Sequence, residues 1–360
     1  MALEAESSNL FTHPKNKTES GVKPLFFVYN VMERIELSHG FGGSQTGELI
    51  NNLIFEILYS EKENFNGNDG AVLSVGDKVA FSTDSFVVSP LFFGEKSIGH
   101  LCVAGSVNDV LTCGAVPKYL TLSFILEEGF ESESLKKILF DIKEESLKNS
   151  VQVVTGDTKV VPQGLCDGIY INTACLGEIK KNYSPKNIKP GDKILLTGTI
   201  GDHEASLTIL RNNLPFKSHI KSDVKGLSPL LVPLLDMNYN IKAMRDPTRG
   251  GLAATLNELS SQCGYDFIIN ERDIPVQEEV KAFCEITGLD KLTFASEGKM
   301  IIFADSKDAE GLLKYLKTFD ENASIIGEVQ VETKERVYLK TLVGTRILPM
   351  PTGGNLPRIC

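Results

Sequence analysis

The stretch PKNIKPGDKILLTGTIG, residues 185–201, divides the chain into two parts of comparable length. Two prolines, Pro185 and Pro190, precede a Gly-Asp turn and a fresh apolar run, which is typical of a linker that leads into a new strand. A chain of 360 residues exceeds what one ordinary hydrophobic core holds, so about two domains are expected. The sequence therefore predicts a domain boundary here.

Before this boundary, periodic patterns predict alternating helices and strands. An edge strand is predicted at 23–31, and the Gly-rich loop SHGFGGSQT, residues 38–46, opens a helix at 47–60 because the apolar spacing there is helical. The stretch 78–94 predicts a strand followed by a turn at Ser89-Pro90, and further strands are predicted at 117–128, 151–161 and 168–179. A buried helix rich in small residues is predicted at 97–115, and an amphipathic helix at 132–149.

After the boundary, the same reasoning predicts a second α/β or α+β unit. Its helices are expected at 203–213, 227–237, 252–263, 276–287 and 308–318, and its strands after residue 192 and at 265–270, 299–304, 323–330 and 336–342. The last residues contain Pro and Gly but no periodicity, which predicts a mobile tail. The predicted organisation is a lead-in (1–36), an N-terminal domain (37–184), a C-terminal α/β domain (185–343) and a tail (344–360).

Composition excludes several classes of protein. Hydrophobic residues make up 42% and charged residues 23%, as in a globular chain. The net charge of −10 argues against a nucleic-acid partner, which would need a basic surface stripe. The first residues lack the basic-then-apolar pattern of a signal peptide, and no run approaches the ~20 apolar residues of a membrane helix. We therefore expect a cytoplasmic protein without a membrane partner.

Seven cysteines are scattered along the chain without a CxxC pair. The first six are expected to be small buried apolar residues in a reducing compartment. Cys360 is different, since it is the last residue and follows the flexible pair Gly353–Gly354. A terminal thiol is exposed and easily oxidised, so a use for it is expected.

Several aspartates have the setting of phosphate or metal ligands. Asp84 in STDS, Asp109 in VND and Asp157 in GDT are flanked by small or polar residues. The chain has no GxxxxGK[ST] loop, so any phosphates would be held by carboxylates through Mg²⁺. Asp246 in MRDPTRGG precedes a glycine pair at a helix start, where backbone N–H groups can receive a phosphate. Each aspartate alone is more often a turn or capping residue, and His39 in SHGFGG is more often an exposed loop residue than a catalyst. Composition leaves these choices open.

Seven motifs together resemble the HypE family of hydrogenase maturation proteins. They are FSTDSFVVSPLFF (81–93), GSVNDVLTCGAVPKYL (105–120), FILEEG (124–129), VTGDTKVV (154–161), RDPTRGGLA (245–253), SEGK (296–299) and the terminal PRIC (357–360). That family belongs with the aminoimidazole ribonucleotide synthetase-like ATP-using enzymes, and the likeness runs from about residue 37 to the last residue. PRIC is the specific motif, because the others are shared in weaker form with thiamine monophosphate kinase and selenophosphate synthetase.

The resemblance implies a reaction on the protein's own tail. A partner, HypF, would place a carbamoyl group on Cys360, and ATP would be spent to dehydrate it to a thiocyanate. The cyano group would then pass through the HypC–HypD complex to the iron of a nickel–iron hydrogenase. The implied fold has two domains, the first pairing with a second copy into a dimeric barrel near the ATP site. The tail's 16 residues after Gly344 span roughly 20–25 Å as a flexible chain, enough to reach a cleft and a partner.

The same resemblance implies roles for individual residues. Asp84, Asp109 and Asp157 would contact Mg²⁺ and phosphate, with Asn108 and Thr158 beside them and with Asp246, Thr248 and Arg249 at the mouth of the same cleft. Glu297 is the candidate general base, Lys159 would neutralise the phosphoryl group or contact the amide, and His39 would lie near the phosphates. An unperturbed thiol is mostly protonated at neutral pH, so the carbamoyl donor is expected to be highly activated.

Two other readings use the same residues. A small-molecule kinase such as thiamine monophosphate kinase would need every aspartate but leave Cys360 idle, so loss of the tail would spare it. A non-catalytic scaffold would use the tail cysteine for assembly and would hydrolyse no ATP. A selenophosphate synthetase is disfavoured, because HGFGGSQTG carries neither the reactive cysteine nor the lysine of that relative.

Overall fold

A computed structural model gives the structure of the chain, and it describes residues 33–40, 43–58, 71–212, 218–353 and 356–360. The edge strand predicted at 23–31 lies outside this part, as do Phe41 and Gly42 of the Gly-rich loop. Two separate sheets, each with its own helices, confirm the predicted α/β class. In the described part, no helix has the length and apolar character needed to cross a membrane.

The first half of the chain forms a four-stranded sheet with helices. After a 3₁₀ turn at Leu37–Gly40, the elements are α1 (Gly43–Leu49), a π-helical turn (Ile50–Ile54), α2 (Phe55–Leu58), β1 (Val79–Phe86), β2 (Phe92–Phe93), β3 (Lys96–Ser97), α3 (Ile98–Thr112), β4 (Ala115–Glu127), α4 (Ser132–Lys148), β5 (Gln152–Val161) and β6 (Ile169–Ile179). The sheet has the strand order β1-β6-β4-β5, and β4 and β5 are its parallel pair. β2 and β3 form a small hairpin.

One face of this sheet packs on helices and the other is open. Side chains alternate along the strands, so one set enters the core beneath α3 and the next points away from it. The open face carries large apolar side chains, including Phe81 at 66% and Ile125 at 43% exposure. Such a face is typical of a surface that packs on another protein. A barrel formed with a second copy remains a prediction.

The second half forms a seven-stranded sheet flanked by helices. Its elements are β7 (Lys193–Leu196), α5 (Asp202–Arg211), α6 (Ser228–Asp236), β8 (Ile241–Arg245), α7 (Gly251–Cys263), β9 (Phe267–Asn270), α8 (Glu278–Thr287), β10 (Ile301–Ala304), α9 (Ala309–Leu316), β11 (Ser324–Val329), β12 (Val337–Thr341) and β13 (Gly344–Ile347). The strand order is β13-β12-β9-β11-β7-β10-β8. β9 and β12 are parallel, whereas the other neighbours are antiparallel.

Two strands of the second half differ from the sequence prediction. β8 was not expected, because it has only five residues and its alternation is too short to stand out. β13 lies where the sequence predicts the start of the tail. It pairs with β12 through its backbone while all four of its residues are exposed, so it carries no apolar pattern.

The cysteines follow the expected pattern in part. Cys102, Cys166, Cys175 and Cys284 are buried, as predicted, but Cys263 is only partly buried and Cys113 is exposed because it follows the last turn of α3 at the surface. Cys360 also differs from the expected exposed thiol. It is partly buried and packs against a core cluster to which both halves of the chain contribute.

Candidate active site

Asp84 on β1 and Asp109 on α3 lie close together where the helix packs on the strand. Asp84 is on β1 and faces the helix, where Ser106 Oγ donates to its Oδ2 at 3.4 Å. Ser82 Oγ, two residues before Asp84, donates to Asp109 Oδ2 at 2.6 Å. The close approach depends on a small residue, since a Cβ at Gly105 would lie 2.8 Å from Cζ of Phe86. The small-residue character of α3 therefore places two carboxylates side by side.

This proximity changes the protonation of Asp84. Burial, followed by the charge and the hydrogen bond of the neighbouring Asp109 carboxyl, raises the pKa of the Asp84 carboxyl from 3.8 to about 6. Ser106 and the positive charge of Arg249 act in the opposite direction. Two carboxylates in a partly desolvated site repel each other unless a proton or a cation lies between them.

The loop between β8 and α7 brings Asp246 to the same place. Asp246 is buried, and this burial raises its pKa from 3.8 to about 7, with Asp109 and Asp84 acting in the same direction. The turn after it is closed by Gly251 N–H, which donates to Thr248 O at 2.8 Å. Gly250 adopts a positive φ of 77° and Gly251 one of 60°, a region that favours glycine. The glycine pair predicted from the sequence therefore shapes this turn.

Glu297 lies in the loop before β10, buried at the same site. Its backbone N–H donates to Asp223 Oδ1 at 3.1 Å, and its Oε1 has no hydrogen-bond partner among the described residues. Burial, followed by the charges of Asp246 and Asp223, holds the pKa of this carboxyl well above its usual range, while Arg249 acts against the rise. A buried carboxyl with a raised pKa and a free oxygen has the properties of a general acid or base.

The end of the chain lies in this site. Val87 N–H, three residues after Asp84, donates to Cys360 O at 3.0 Å. Burial raises the pKa of the Cys360 thiol to about 12, and Glu297 is the largest charge that raises it, while Arg249 lowers it. The thiol therefore lies within the electrostatic reach of Glu297, Arg249 and Asp84.

Asp157 and Lys159 lie elsewhere. Both are exposed on β5, where Lys159 Nζ donates to Asp157 Oδ1 at 2.6 Å. In the sheet register Asp157 is opposite Ser123, one position out of step with the row that contains Asp84. The two aspartates therefore point to opposite faces, because neighbouring positions on a strand alternate. Thr158 lies between Asp157 and Lys159 on β5, and its side chain is buried on the helix-covered face.

The metal site predicted from Asp84, Asp109 and Asp157 is accordingly not assembled within one chain. In the described ranges, no group of three or more His, Cys, Asp or Glu side chains is arranged to hold a metal ion. His39 is buried in the 3₁₀ turn, where its Nδ1 accepts from Glu36 N–H at 2.8 Å. That turn packs on β5, because a Cβ at Gly40 would lie 2.8 Å from Val160 N. His39 thus belongs with the β5 side of the sheet.

Asn108 joins the two halves of the chain. Its side-chain amide is buried and donates to Lys225 O at 3.2 Å and to Glu297 O at 3.4 Å, while its oxygen accepts from Leu227 N–H at 2.9 Å. All of its hydrogen-bonding groups are therefore used on the backbone of the second half. Asn108 positions the Glu297 loop against α3.

Sequence reasoning missed Asp223, which fixes the Glu297 backbone. It stands in KSDVKG without a recognisable motif, and its neighbours Lys225 and Leu227 are the residues that Asn108 binds. Its only signal in the sequence was a carboxylate among polar residues before a helix, which is also typical of an ordinary turn.

Comparisons with known proteins match both halves of the chain. Residues 67–179 match the N-terminal domain of AIR synthase related proteins, and residues 189–340 match the corresponding C-terminal domain. The carbamoyl dehydratase HypE of Escherichia coli K12 is 41% identical over 339 residues, which cover 91% of this chain and all of that protein. This chain belongs to the HypE family. The predicted two-domain fold of the aminoimidazole ribonucleotide synthetase type is confirmed with it.

Solved HypE structures have the same fold. A crystal structure of HypE in complex with ATP superposes with a TM-score of 0.86 at 38% identity, covering 90% of this chain and 99% of the other. The chain in a HypE–HypF complex gives a TM-score of 0.74 at 41% identity, covering 84% of this chain and 99% of the other. The likeness to HypE thus extends across both domains.

Proposed function

We propose that this chain is an ATP-dependent carbamoyl dehydratase that converts an S-carbamoyl group on Cys360 into a thiocyanate. The observation that carries the proposal is the position of the Cys360 thiol, whose pKa responds to Glu297, Arg249 and Asp84. An idle terminal cysteine has no reason to occupy a cleft lined by buried carboxyls. The HypE relative that is named a carbamoyl dehydratase, and the one solved with ATP, support the activity and the nucleotide.

The chemistry explains why ATP is needed. An amide oxygen cannot leave as oxide, so phosphoryl transfer from ATP to the carbamoyl oxygen makes it a phosphate leaving group. The nitrogen gives up both protons, the carbon–oxygen bond breaks, and a carbon–nitrogen triple bond forms. The products are the thiocyanate on Cys360, ADP and phosphate, so the elements of water end in the phosphate.

Glu297 is the base that this geometry favours. A carboxyl with a raised pKa holds a proton more strongly than an ordinary glutamate and is therefore a better acceptor once it is ionised. Its Oε1 has no partner among the described residues and is available to the amide nitrogen. Lys159, the other candidate, is paired with Asp157 on the opposite face of the sheet, so it could act only from a second subunit.

Asp84 and Asp109 fit a magnesium ion that accompanies the nucleotide. Mg²⁺ in nucleotide enzymes is usually held by one or two carboxylates together with phosphate oxygens, so a preformed cage of three is not required. Burial and the neighbouring Asp109 raise the pKa of Asp84 more than Arg249 lowers it, so a cation beside this pair of carboxyls would favour their ionised form. When bound, the ion would neutralise phosphate charge, and Asp246 is close enough to respond to both carboxyls.

Arg249 is a positive charge that acts on three groups of this site. It lowers the pKa of Asp84, Glu297 and Cys360, so it lies near all three. A guanidinium offers a planar fork of donors that matches phosphate oxygens. We assign it to the phosphoryl group during transfer, with Thr248 and the Gly250–Gly251 turn beside it.

Carbamoylation of Cys360 requires that the tail has left the cleft. With a pKa near 12 the seated thiol is almost entirely protonated, whereas the thiolate is the nucleophile. HypF, which a HypE relative binds in a solved complex, would therefore act on the tail outside the cleft. The HypC–HypD complex would take the cyano group, the enzyme would work in the cytoplasm, and a second copy would bring Lys159, Asp157 and His39 to the site.

The deciding experiment follows the intact mass of the protein with HypF, carbamoyl phosphate and ATP. Wild type should gain a carbamoyl-sized mass and then lose one water, and Cys360→Ala should do neither. If the wild-type mass never changes while ATP is consumed, a small-molecule kinase becomes the better explanation. If the mass never changes and ATP is not consumed, a scaffold does.

A further inference from the structure

The last residues of the chain bind beside β1 like an added strand. Val87 N–H donates to Cys360 O at 3.0 Å and Ser89 N–H donates to Arg358 O at 3.4 Å, so the two segments run antiparallel. The side chain of Ile359 is buried in a core cluster to which both halves of the chain contribute. This is the mode in which extended peptides bind to the exposed backbone of a strand.

Arg211, the last residue of α5 in the second domain, binds this segment through hydrogen bonds. Its guanidinium donates to the carbonyl oxygens of Ser89, Pro357 and Arg358. The planar fork of an arginine can serve several acceptors at once, which a lysine ammonium cannot reproduce in the same geometry. One side chain therefore joins the first domain, the second domain and the tail.

His203 holds the next carbonyl. The ring is fully buried, and its Nε2 lies 2.9 Å from Ile359 O, which can only accept, so Nε2 carries a proton. Burial lowers the pKa of His203, which favours the neutral ring. Its Nδ1 then accepts from Ser222 Oγ at 2.8 Å, and that hydroxyl accepts from Val224 N–H at 3.3 Å. The tautomer and the direction of the donor are thus fixed.

The backbone and side chain of Arg358 are both fixed by contacts when the tail lies in the cleft. Its φ of 53° is unfavourable for a residue other than glycine and persists only where contacts enforce it. Its Nε donates to Val87 O at 2.7 Å and its Nη1 to Asp167 Oδ2 at 2.6 Å. A solvated tail charge would have neither the contacts nor the backbone strain.

We propose that Arg211 and His203 are positioning residues that seat the tail so that S-carbamoyl Cys360 meets Glu297, a role that rests on the proposed function. Neither side chain contacts the thiol, and both act on backbone carbonyls of the tail. The segment 222–224 contacts both His203 and Glu297. Ser222 orients the His203 ring, and Asp223 accepts a hydrogen bond from the Glu297 backbone. Seating of the tail and placement of the base therefore depend on the same short segment.

The test compares Arg211→Ala and Arg211→Lys with wild type, and His203→Phe with His203→Gln, which retains a donor. Matched controls are Arg272→Ala and His219→Gln, both at exposed positions. The first readout is the rate of maleimide labelling of Cys360, read by mass spectrometry of the C-terminal peptide without HypF. The second is single-turnover loss of water after HypF has loaded the tail.

Arg211→Ala and His203→Phe should label at least about tenfold faster and lose water at least about tenfold more slowly, because charge-assisted or buried hydrogen bonds are removed. Carbamoylation by HypF should be at least as fast as in wild type, since it uses the free tail and these variants free the tail more often. Arg211→Lys and His203→Gln should recover part of both effects, and the controls should match wild type.

Unchanged labelling in Arg211→Ala would overturn the proposal. The proposal would also be overturned if the variants lost protection of the thiol, carbamoylation by HypF and melting temperature together. That pattern marks a residue needed only for folding. If wild type never loses water while the labelling differences hold, the proposed dehydration fails and the seating by Arg211 stands.

Discussion

The backbone N–H of Val87 donates a 3.0 Å hydrogen bond to the main-chain oxygen of Cys360. This bond attaches the last residue of the chain to the strand extension that follows Asp84. Because the bond uses only backbone atoms, it leaves the thiol free to carry a substituent. The terminal residue is thereby presented as a substrate to its own domain.

Replacement of Glu297 by glutamine should separate dehydration from loading. Glutamine keeps the size of the side chain but cannot accept the amide proton, so loss of water should slow by roughly 10²–10⁴-fold. Carbamoylation by HypF should continue at the wild-type rate. Single-turnover mass measurement checks both steps, and wild-type dehydration in Glu297→Gln would remove this residue from the mechanism.

The buried carboxyls should make the nucleotide-free protein less stable as the pH rises. The pKa of Asp246 increases from 3.8 to about 7 on folding, so between these values the folded state binds more protons than the unfolded state. Stability is therefore greatest below about pH 4 as far as this group is concerned, and it falls as the pH rises toward 7. The loss is at most about 4 kcal/mol at 1.36 kcal/mol per pKa unit.

Asp246→Asn tests that dependence. The variant should lose less stability between pH 5 and pH 8 than wild type in urea unfolding, and the exposed control Asp236→Asn should follow wild type. Identical pH profiles for Asp246→Asn and wild type would contradict the burial of an uncompensated carboxyl at this site.

Gly105 should be needed for the close approach of α3 to β1. In Gly105→Ala the new Cβ would lie 2.8 Å from Phe86 Cζ, so the helix must shift. Such overpacking costs about 1–3 kcal/mol and should also weaken ATP binding, because Asp84 and Asp109 move apart. The control is Gly76→Ala, where the nearest atom is 3.8 Å away on the Glu178 side chain. Calorimetric ATP titration of Gly105→Ala with unchanged affinity would count against the predicted coupling.

If a homodimer completes the site, the inactive variants Asp84→Asn and Lys159→Ala should restore activity when their subunits form mixed dimers. Asp84 and Lys159 lie on opposite faces of the first sheet and on its two outermost described strands. When inactive Asp84→Asn and Lys159→Ala proteins are mixed and exchange subunits, half the dimers are mixed and each holds one intact site. About a quarter of the wild-type dehydration should then return. No recovery in a mixture shown to contain mixed dimers would exclude this arrangement.

Much of the fold followed from local patterns. The helix at 97–115, for example, was predicted from small apolar residues and is observed as α3 (Ile98–Thr112), because its burial on all sides requires that composition. β13 could not be predicted, since a strand with four exposed residues has only backbone pairing to define it.

The candidate site followed from the sequence only in part. The motifs named Asp84, Asp109, Asp246, Glu297 and Cys360, which the structure brings together. They could not show that Asp157 points to the other face, because that depends on strand register. Nor could they identify Arg211 and His203, whose partners are backbone carbonyls about 150 residues away in the sequence.

The central claim is that the carbamoyl oxygen of Cys360 leaves as phosphate. The direct test loads the tail with a carbamoyl group labelled with ¹⁸O, measures the label in the intact protein, and then adds ATP for a single turnover. We expect the ¹⁸O to appear in inorganic phosphate in proportion to the thiocyanate formed. Recovery of the label in bulk water, with unlabelled phosphate, would contradict it.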